Sequence, residues 1–261
     1  MKSQSGVAMA IVLWFLAAMS LLVSGIVYEA RADVKLAQAH SARAKASAAG
    51  DGAVHLTMAA LRSNDSADVE GVNILRTRFV VGSHPVEVEL VPVAGLIDLN
   101  SAPKQLLQAL FEVNAGLDAG DAQVLADNLV RWRLNTFFSP EDFLQVEGAS
   151  RAILDAVRDS IYAGATAGGR LDLKSAPESV LLVASKGSPD RVASVQAQRE
   201  SAAAVSGGKK RANGKFRADA KVTVGDRVWL RRAWVSTERA SQGSLPWMIV
   251  RSEAARVHVA G

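Results

Sequence analysis

The sequence predicts an α+β fold: a long N-terminal helix, an antiparallel sheet, and an all-helical domain inserted between strands of that sheet. Three observations indicate this. A run of 22 residues without charge, 7–28, continues into an alanine-rich polar stretch. Two groups of residues with β-strand character lie at 76–91 and 216–250. Between them, residues 95–185 place apolar side chains at helical spacing.

The composition limits the chemistry that the chain can perform. None of the 261 residues is Cys and only four are His, which excludes thiolate zinc sites and cysteine nucleophiles and disfavours a histidine metal site. The net charge is +4, but residues 186–261 hold 15 basic and 6 acidic residues, so the preceding part is net negative. Because no nucleophile-elbow or phosphate-loop spacing occurs, we expect no enzymatic activity and assign no catalytic residue.

The N-terminal run predicts a helix that spans a membrane. As a helix, residues 7–28 are roughly 33 Å long, close to the thickness of a bilayer core. A polar leader of six residues, which contains Lys2 and ends in Gly6, precedes them. A secretory signal peptide, whose apolar core is shorter, and a plain signal anchor are the alternatives.

Residues 29–62 are expected to extend this helix beyond the bilayer, because they are rich in good helix formers and lack Pro. Gly50-Asp51-Gly52 is predicted to kink or end the helix, with 53–62 as a further helical piece. The weak apolar stripe along this segment consists of Val34, Ala37, Ala44 and Ala48.

Residues 63–94 are predicted to hold the first strands. A polar, turn-like stretch, 64–70, precedes strand-forming runs at 76–81 and 86–91, and Gly82–Pro85 forms the turn between them. In the second run, apolar residues alternate with Glu87 and Glu89, as is typical of a half-buried strand.

Residues 95–185 predict four helical pieces. The first begins near Pro103 and is capped by Asn100 or Ser101. The others are predicted at 122–133, from Ser139 onward, and at 153–161.

An eight-residue pattern occurs twice in this region. Residues 96–103 read LIDLNSAP and residues 170–177 read RLDLKSAP. The second copy also runs into an apolar helix, 179–184. We interpret the copies as two equivalent strand-to-helix entries that flank one helical domain.

Residues 186–261 are predicted to contain a polar helix, a basic loop and the remaining strands. The helix is expected at 188–205. The loop at 206–217 includes three consecutive bases, and it either contacts anions such as lipid head groups or nucleic acid, or is solvated. Strands at 216–224, 227–237 and 247–250 are expected to join the earlier hairpin in one antiparallel sheet.

The helical region resembles tandem helix-hairpin-helix (SAM-like) modules. The matching stretches are IDLNSAP, ADNLVRWR at 126–133 and FFSPEDFLQVEG at 137–148. Such modules often bind DNA through glycine hairpins whose amides hold phosphate. The hairpins here, EVNAGLD at 112–118 and VEGAS at 146–150, lack paired glycines, and the region is net acidic. Nucleic acid is therefore disfavoured as a partner.

The N-terminus resembles that of type IV prepilin-like proteins. The resemblance implies that a prepilin peptidase cuts between Gly6 and Val7 and methylates the new amine. Most pilins have Glu at the fifth mature position, where this chain has Ile11. That Glu is thought to pair with the amine of a neighbouring subunit, so its absence fits a subunit at the filament tip.

Taken together, these features resemble the minor pseudopilin K (GspK) family of type II secretion systems. The matching motif residues are Ile97, Asp98, Leu99, Asn100, Ala102 and Pro103. The resemblance implies a pilin-like fold with an inserted helical domain. It also implies a single-pass inner-membrane protein whose C-terminal part is periplasmic.

The same resemblance implies partners and a role. The partners are the I- and J-type minor pseudopilins, and the prepilin peptidase during maturation. The tip complex would initiate assembly of a short pseudopilus for protein export across the outer membrane, and the insertion would prevent addition of a further subunit.

One departure bears on these expectations. Some family members bind calcium, so the resemblance allows calcium here, but this chain has no Asp-x-Asp-x-Asp loop; we therefore assign no metal ligands and expect no other cofactor. Asp118–Asp121 is expected to be a solvated acidic loop. The alternative function is a membrane-anchored DNA receptor of the competence type, which would explain the anchor, the helical domain and the basic residues.

Overall fold

An α+β architecture is observed, as the sequence predicts. The computed structural model describes residues 5–62, 74–164, 171–205, 214–237 and 245–258. Most of the predicted leader (1–4), the turn-like stretch 64–70 and the three consecutive bases of the predicted loop lie outside the described residues.

One helix, α1 (Ser5–Arg62), has 58 residues and a length of about 87 Å. Its side chains from Met9 to Ser41 are exposed, whereas its last third packs on the sheet through Ala46, Ala49, Ala53, Val54, Thr57 and Met58. The predicted apolar stripe is wrong, because all four of its residues are exposed. Alanine lies on every side of this segment, so the composition does not distinguish the face that packs.

The predicted kink or end at Gly50–Gly52 is also wrong, since α1 runs through it without interruption. A Cβ at Gly50 would lie 2.7 Å from Cβ of Arg231 on the sheet. This glycine therefore permits a close approach between helix and sheet. Next to it, Asp51 accepts two hydrogen bonds from Arg231, at 2.8 and 3.1 Å.

The strands form one large and one small sheet. In chain order they are β1 (Leu75–Val81), β2 (His84–Pro92), β3 (Ile97–Asp98), β4 (Ile161–Tyr162), β5 (Lys215–Val224), β6 (Arg227–Ser236), β7 (Met248–Ser252) and β8 (Arg256–Val257). The large sheet has the order β1-β2-β5-β6-β7, with β8 also paired to β6, and every pair in it is antiparallel. The predicted union of the early hairpin with the late strands is confirmed.

The turn between β1 and β2 is tighter than predicted. Only Gly82 and Ser83 separate the strands, and His84 already pairs with Val81. Gly82 has φ 62°, a conformation that side chains with a Cβ rarely adopt. The alternation predicted for both strands of the β2–β5 pair is observed, since the apolar residues of both strands bury against α1.

The insertion between β2 and β5 is mainly helical. Its α-helices are α2 (Lys104–Ala115), α3 (Ala119–Trp132), α4 (Arg151–Val157), α5 (Glu178–Ala184) and α6 (Pro189–Val205), with a 3₁₀ helix at Pro140–Gln145. They enclose a core of their own that includes three fully buried phenylalanines, Phe111, Phe137 and Phe143. The insertion extends past the predicted end at residue 185, because Val192 of α6 buries in this core.

Two local predictions in the insertion need correction. Neither Asn100 nor Ser101 caps α2, because Pro103 itself is the N-cap residue and both polar side chains turn elsewhere. The fourth helix ends at Val157 rather than at Ile161, which pairs with Ile97 in the parallel β3–β4 sheet. The β3–β4 pairing therefore holds together the two ends of the segment that contains α2, α3 and α4.

The insertion lies at the end of the large sheet that is remote from the exposed half of α1. Two contacts between α1 and β1 show the direction. A Cβ built on Gly52 would lie 3.4 Å from Cγ1 of Val81, and the hydroxyls of Thr57 and Thr77 form a hydrogen bond of 2.9 Å. Going along α1 away from its exposed half, the helix therefore passes β1 in the direction from Val81 to Leu75. Pro92, the last residue before the insertion, pairs with Phe216 beyond that same end.

Candidate assembly site

The first candidate site is the exposed N-terminal half of α1. Among the described helices, α1 has the length and composition needed to cross a membrane. Gly6 and Val7 are in its first two turns, and Ile11 is 62% exposed on it. From Met9 to Tyr28, exposed aromatic and aliphatic side chains surround the helix and no charged residue interrupts them. This surface is consistent with a membrane anchor.

The second feature is the LIDLNSAP motif, which builds a turn before α2. The Asp98 carboxylate accepts hydrogen bonds from the Asn100 amide (2.9 Å) and the Ser101 hydroxyl (2.7 Å). The Asn100 side chain bonds both backbone groups of Phe137, at 2.7 and 2.9 Å, and donates to the Gly164 carbonyl at 3.2 Å. These residues therefore join the start of the insertion to its middle.

The second copy of the motif repeats this turn. Asp172 accepts from the Lys174 amide (2.9 Å) and the Ser175 hydroxyl (2.7 Å), as Asp98 does in the first copy. Lys174 occupies the position equivalent to Asn100, so the hydrogen bonds of the Asn100 side chain to Phe137 and Gly164 are a feature of the first copy. Leu171 and Asp172 do not form a strand, which corrects the prediction of two strand-to-helix entries. The Asp172 amide bonds only the Ala94 carbonyl at 2.8 Å rather than a partner strand.

One arginine clamps each turn from a distant helix. Arg133 donates to the carbonyls of Leu99 and Ala102, at 2.7 and 2.6 Å. Arg199 of α6 donates to the equivalent carbonyls, Leu173 and Ala176. The motif residues thus have a structural role inside the insertion. Sequence reasoning missed both clamps, although Arg133 is the last residue of the predicted helix 122–133 and Arg199 lies within the predicted helix 188–205.

The third feature is an ion cluster where the insertion meets the sheet. Arg232 donates to the Asp219 carboxylate at 2.6 and 3.0 Å and to Asp159 at 2.7 Å, and it is 2% exposed. Arg217 lies 2.9 Å from Asp219 and donates to the Asp159 carbonyl at 2.5 Å. Asp159 follows α4, so this cluster connects the insertion to β5 and β6.

The charges of the cluster are mutually stabilised. Burial by itself would raise the pKa of Asp219, but the charges of Arg217 and Arg232 outweigh burial and hold its pKa below the usual value. For Asp159 too, the Arg232 charge and hydrogen bond outweigh burial and lower the pKa. Burial would lower the pKa of Arg232, but Asp219 raises it. All three groups therefore stay ionised at neutral pH.

Arg217 corrects the predicted extent of the basic loop. The loop was expected to run through 206–217, but Lys215 and Arg217 are on β5 and Arg217 is buried and paired. Arg217 lies on the face of β5 opposite the apolar residues that pack on α1, where an alternating strand usually faces solvent. In the structure this side chain contacts Asp159 of the insertion. No sequence signal identifies that contact.

The hairpin regions argue further against phosphate binding. Asp118 caps α3 by accepting from the Asp121 amide at 2.9 Å, and Ser150 caps α4 by accepting from the Ile153 amide at 3.3 Å. Each cap thus takes up one of the free amides at the start of its helix, and at α3 the capping group is itself a carboxylate, which would repel a phosphate. Asp118 to Asp121 are exposed, as expected for solvated acidic residues, but only Asp118 precedes the helix, which it caps, and Asp121 is already in α3. Within the described ranges, no group of three His, Asp or Glu side chains is placed to hold a metal ion.

Comparisons with known proteins show a similarity of structure rather than of sequence. No family model matches the chain, and no curated protein matches its sequence. The chain is similar to one chain of the crystal structure of the GspK-GspI-GspJ complex from the enterotoxigenic Escherichia coli type 2 secretion system. The identity is 12%, the match covers 86% of this chain and 96% of that chain, and the TM-score is 0.48. At these values the similarity identifies neither a partner nor a function for this chain.

Proposed function

We propose that the chain is a minor pseudopilin at the tip of a type II secretion pseudopilus. In this role it helps to initiate pseudopilus assembly and protein export across the outer membrane. Residues 7–28 hold it in the inner membrane by a single pass, and its C-terminal part is periplasmic. Its partners are the I- and J-type minor pseudopilins.

One observation carries this proposal. A single helix of 58 residues is exposed and apolar from Met9 to Tyr28 and packs on an antiparallel sheet in its last third. A helix that is both anchor and part of a globular body can place that body in a filament of parallel helices. A plain signal anchor needs no such continuity, because a linker would serve equally well.

The position of the insertion supports the tip. It leaves the large sheet between Pro92 and Lys215, at the end remote from the exposed half of α1. In a filament whose subunits stand on their membrane helices, this volume lies above the pilin-like body. It would obstruct a further subunit there. Ile11 also supports a position at the tip. A tip subunit has no subunit above it to supply an amine, so a carboxylate at this position would have no partner.

Maturation is the first test. We expect the prepilin peptidase to cut between Gly6 and Val7 and to methylate Val7. The measurement is the intact mass and N-terminal sequence of the chain from membranes, with and without the peptidase. Gly6→Leu is the matched variant, which should remain uncut. An uncut wild-type chain in the presence of the peptidase contradicts the proposal.

Partner capture is the second test. The full chain should co-purify with I- and J-type pseudopilins when all three are produced together in membranes. Retention of DNA by the chain at low salt, lost as salt rises, without pseudopilin capture would instead favour the anchored DNA receptor.

A further inference from the structure

The stretch of α1 between the predicted membrane segment and the folded body does not pack on that body. Residues 29–41 are all exposed, and packing on the sheet begins at Ala42. Four charged side chains lie at the start of this stretch: Glu29, Arg31, Asp33 and Lys35. Within the described ranges, none of the four forms an ion pair. These charges are therefore open to a partner outside the chain.

The four charges are sorted onto opposite sides of the helix. Successive residues turn by about 100°, so Glu29 and Asp33, four residues apart, share one side. Arg31 lies about 200° around the helix from Glu29, and Lys35 shares the side of Arg31. One side of α1 is thus acidic, and the opposite side is basic.

This sorting does not serve the helix itself. Like charges four residues apart weaken a helix, whereas opposite charges at that spacing stabilise it by roughly 0.2–0.5 kcal/mol per pair. Exchange of Asp33 with Lys35 would turn both like-charge pairs into opposite-charge pairs without changing the composition. The actual order keeps each side of one sign at the expense of helix stability, as does a surface that selects its partner by charge.

The basic side also carries a groove of the shape that a second helix fills. Its lining residues are Val27, Ala30, Arg31, Val34, Lys35 and Gln38. They form two successive sets of four with the spacing i, i+3, i+4 and i+7, the first starting at Val27 and the second at Arg31. Such a set of four makes the hole that receives one side chain of a facing helix. The groove therefore has an apolar floor for a helix and a basic rim.

We propose that this groove binds a helix of another subunit, which leaves the membrane beside α1 and carries carboxylates opposite Arg31 and Lys35. The groove begins at Val27, inside the predicted membrane segment, so the bound helix is apolar there and acidic just beyond it. Its apolar side chains fill the two holes, and its carboxylates pair with the two bases. The inference rests on the proposed function, because it assigns this helix to an I- or J-type minor pseudopilin.

The position of the sheet argues against a second copy of this chain in the groove. A second copy would offer its acidic side to the groove at the same height. The sheet lies on the side of α1 between the acidic and basic sides, because Gly50 and Thr57, which contact it, follow there at about 100° per residue. Two copies docked in this way would direct their sheets to the same side with helix axes about 8–10 Å apart, so the two bodies would overlap.

Photo-crosslinking tests the groove, and the chain suits this method because it contains no Cys. A single cysteine in the groove, Ala30→Cys, is labelled with benzophenone maleimide in membranes that also contain I- and J-type pseudopilins with different tags. Illumination should give an adduct with one of the two. Ala32→Cys is the matched control, because this exposed alanine lies outside the groove, and its label should not give that adduct.

Charge variants of the Ala30→Cys chain test the selection by charge. Arg31→Glu should lower the adduct yield about tenfold, because it sets like charges against each other across the interface. Arg43→Glu is the matched control, exposed on the same helix, and should leave the yield unchanged. The exchange Asp33→Lys with Lys35→Asp should also lower the yield, although it keeps the net charge and adds favourable pairs within the helix.

Failure of this inference is distinguishable from failure of the proposed function. If the pseudopilins co-purify with the chain but the Ala30→Cys label gives no adduct with either, or reacts only with lipid, the groove assignment is wrong and the proposed function stands. An adduct with a second, differently tagged copy, or an undiminished yield after the exchange of Asp33 and Lys35, would also overturn the inference. If no pseudopilin co-purifies, both the inference and the proposed function fail.

Discussion

At the scale of single residues, the distance between α1 and the sheet distinguishes two glycines that composition alone does not. Gly50 has no room for a Cβ, because Arg231 Cβ would be 2.7 Å away. Gly52, two residues later, has its nearest contact at 3.4 Å, from the Val81 side chain. Both glycines are helical, so each lowers helix stability relative to Ala. They differ only in what lies beside them.

We expect opposite effects from alanine at these two positions. Gly52→Ala should stabilise the protein by about 1 kcal/mol through helix propensity. Gly50→Ala gains the same propensity, but overpacking against Arg231 should reverse it to a net loss of about 1 kcal/mol. Thermal unfolding of the full chain in detergent, followed by tryptophan fluorescence, measures both. Equal stabilisation by the two variants would show that α1 and the sheet separate easily at Gly50.

At the scale of elements, the ion cluster joins α4 to β5 and β6. The contacts of Asp159 with Arg217 and Arg232 cross from the insertion to the sheet. Arg217, Asp219 and Arg232 are buried and Asp159 lies at the exposed rim of the cluster, so these contacts favour the one arrangement of the elements in which each buried charge has its partner. The insertion is thereby held at a defined angle on the sheet.

This cluster predicts a particular pH dependence. The pKa values of Asp159 and Asp219 are lowered in the folded state. Their contribution is therefore fully present above the unfolded pKa of about 3.9 and is lost as pH falls through the lower folded values. Asp159→Asn should lower the urea midpoint by a constant amount from pH 7 to about pH 5. Below about pH 4 its difference from the wild type should shrink progressively, because the unfolded wild type takes up a proton at Asp159 first and the folded form becomes neutral only at a lower pH.

The control for this experiment is Asp226→Asn, an exposed residue in the turn between β5 and β6. Its urea midpoint should follow that of the wild type at every pH. A difference between Asp159→Asn and the wild type that persists unchanged at pH 3 would contradict the assigned role of the Asp159 charge.

At the scale of the whole molecule, α1 belongs both to the predicted anchor and to the folded body, but only its C-terminal part packs on the sheet. Residues 9–41 of α1 are exposed, and packing on the sheet begins at Ala42. The two cores, one under α1 and one inside the insertion, both lie beyond that point. The exposed half therefore adds an apolar surface of membrane length without supporting the body.

Removal of the predicted membrane segment should leave the body folded. A chain that begins at Glu29 is expected to be soluble without detergent and to unfold within a few degrees of the full chain. Circular dichroism and thermal unfolding measure this, and the full chain in detergent is the reference. Loss of cooperative unfolding in the shortened chain would mean that the exposed half stabilises the body.

Much of the fold follows from local sequence patterns. Alternation in 86–91 and 216–224 predicted paired strands, because the two faces of a strand meet different surroundings. Helical spacing predicted α2 and α3, and the uncharged run predicted the first half of α1. The repeated pattern, IDLNSAP and LDLKSAP, predicted two equivalent strand-to-helix entries. The turns are equivalent, because Asp accepts from the amide two residues on and from the Ser hydroxyl in both copies, whereas only the first copy contains a strand.

Other features depend on contacts between distant residues, which no local pattern records. The face of α1 that packs, the strand at Ile161 and the burial of Arg217 each depend on an element far away in the chain. The sequence by itself determined the elements and the anchor, because these depend on neighbouring residues and on hydrophobicity. Only the tertiary structure decided which charges are buried and which surfaces are open, because both depend on what the rest of the chain covers.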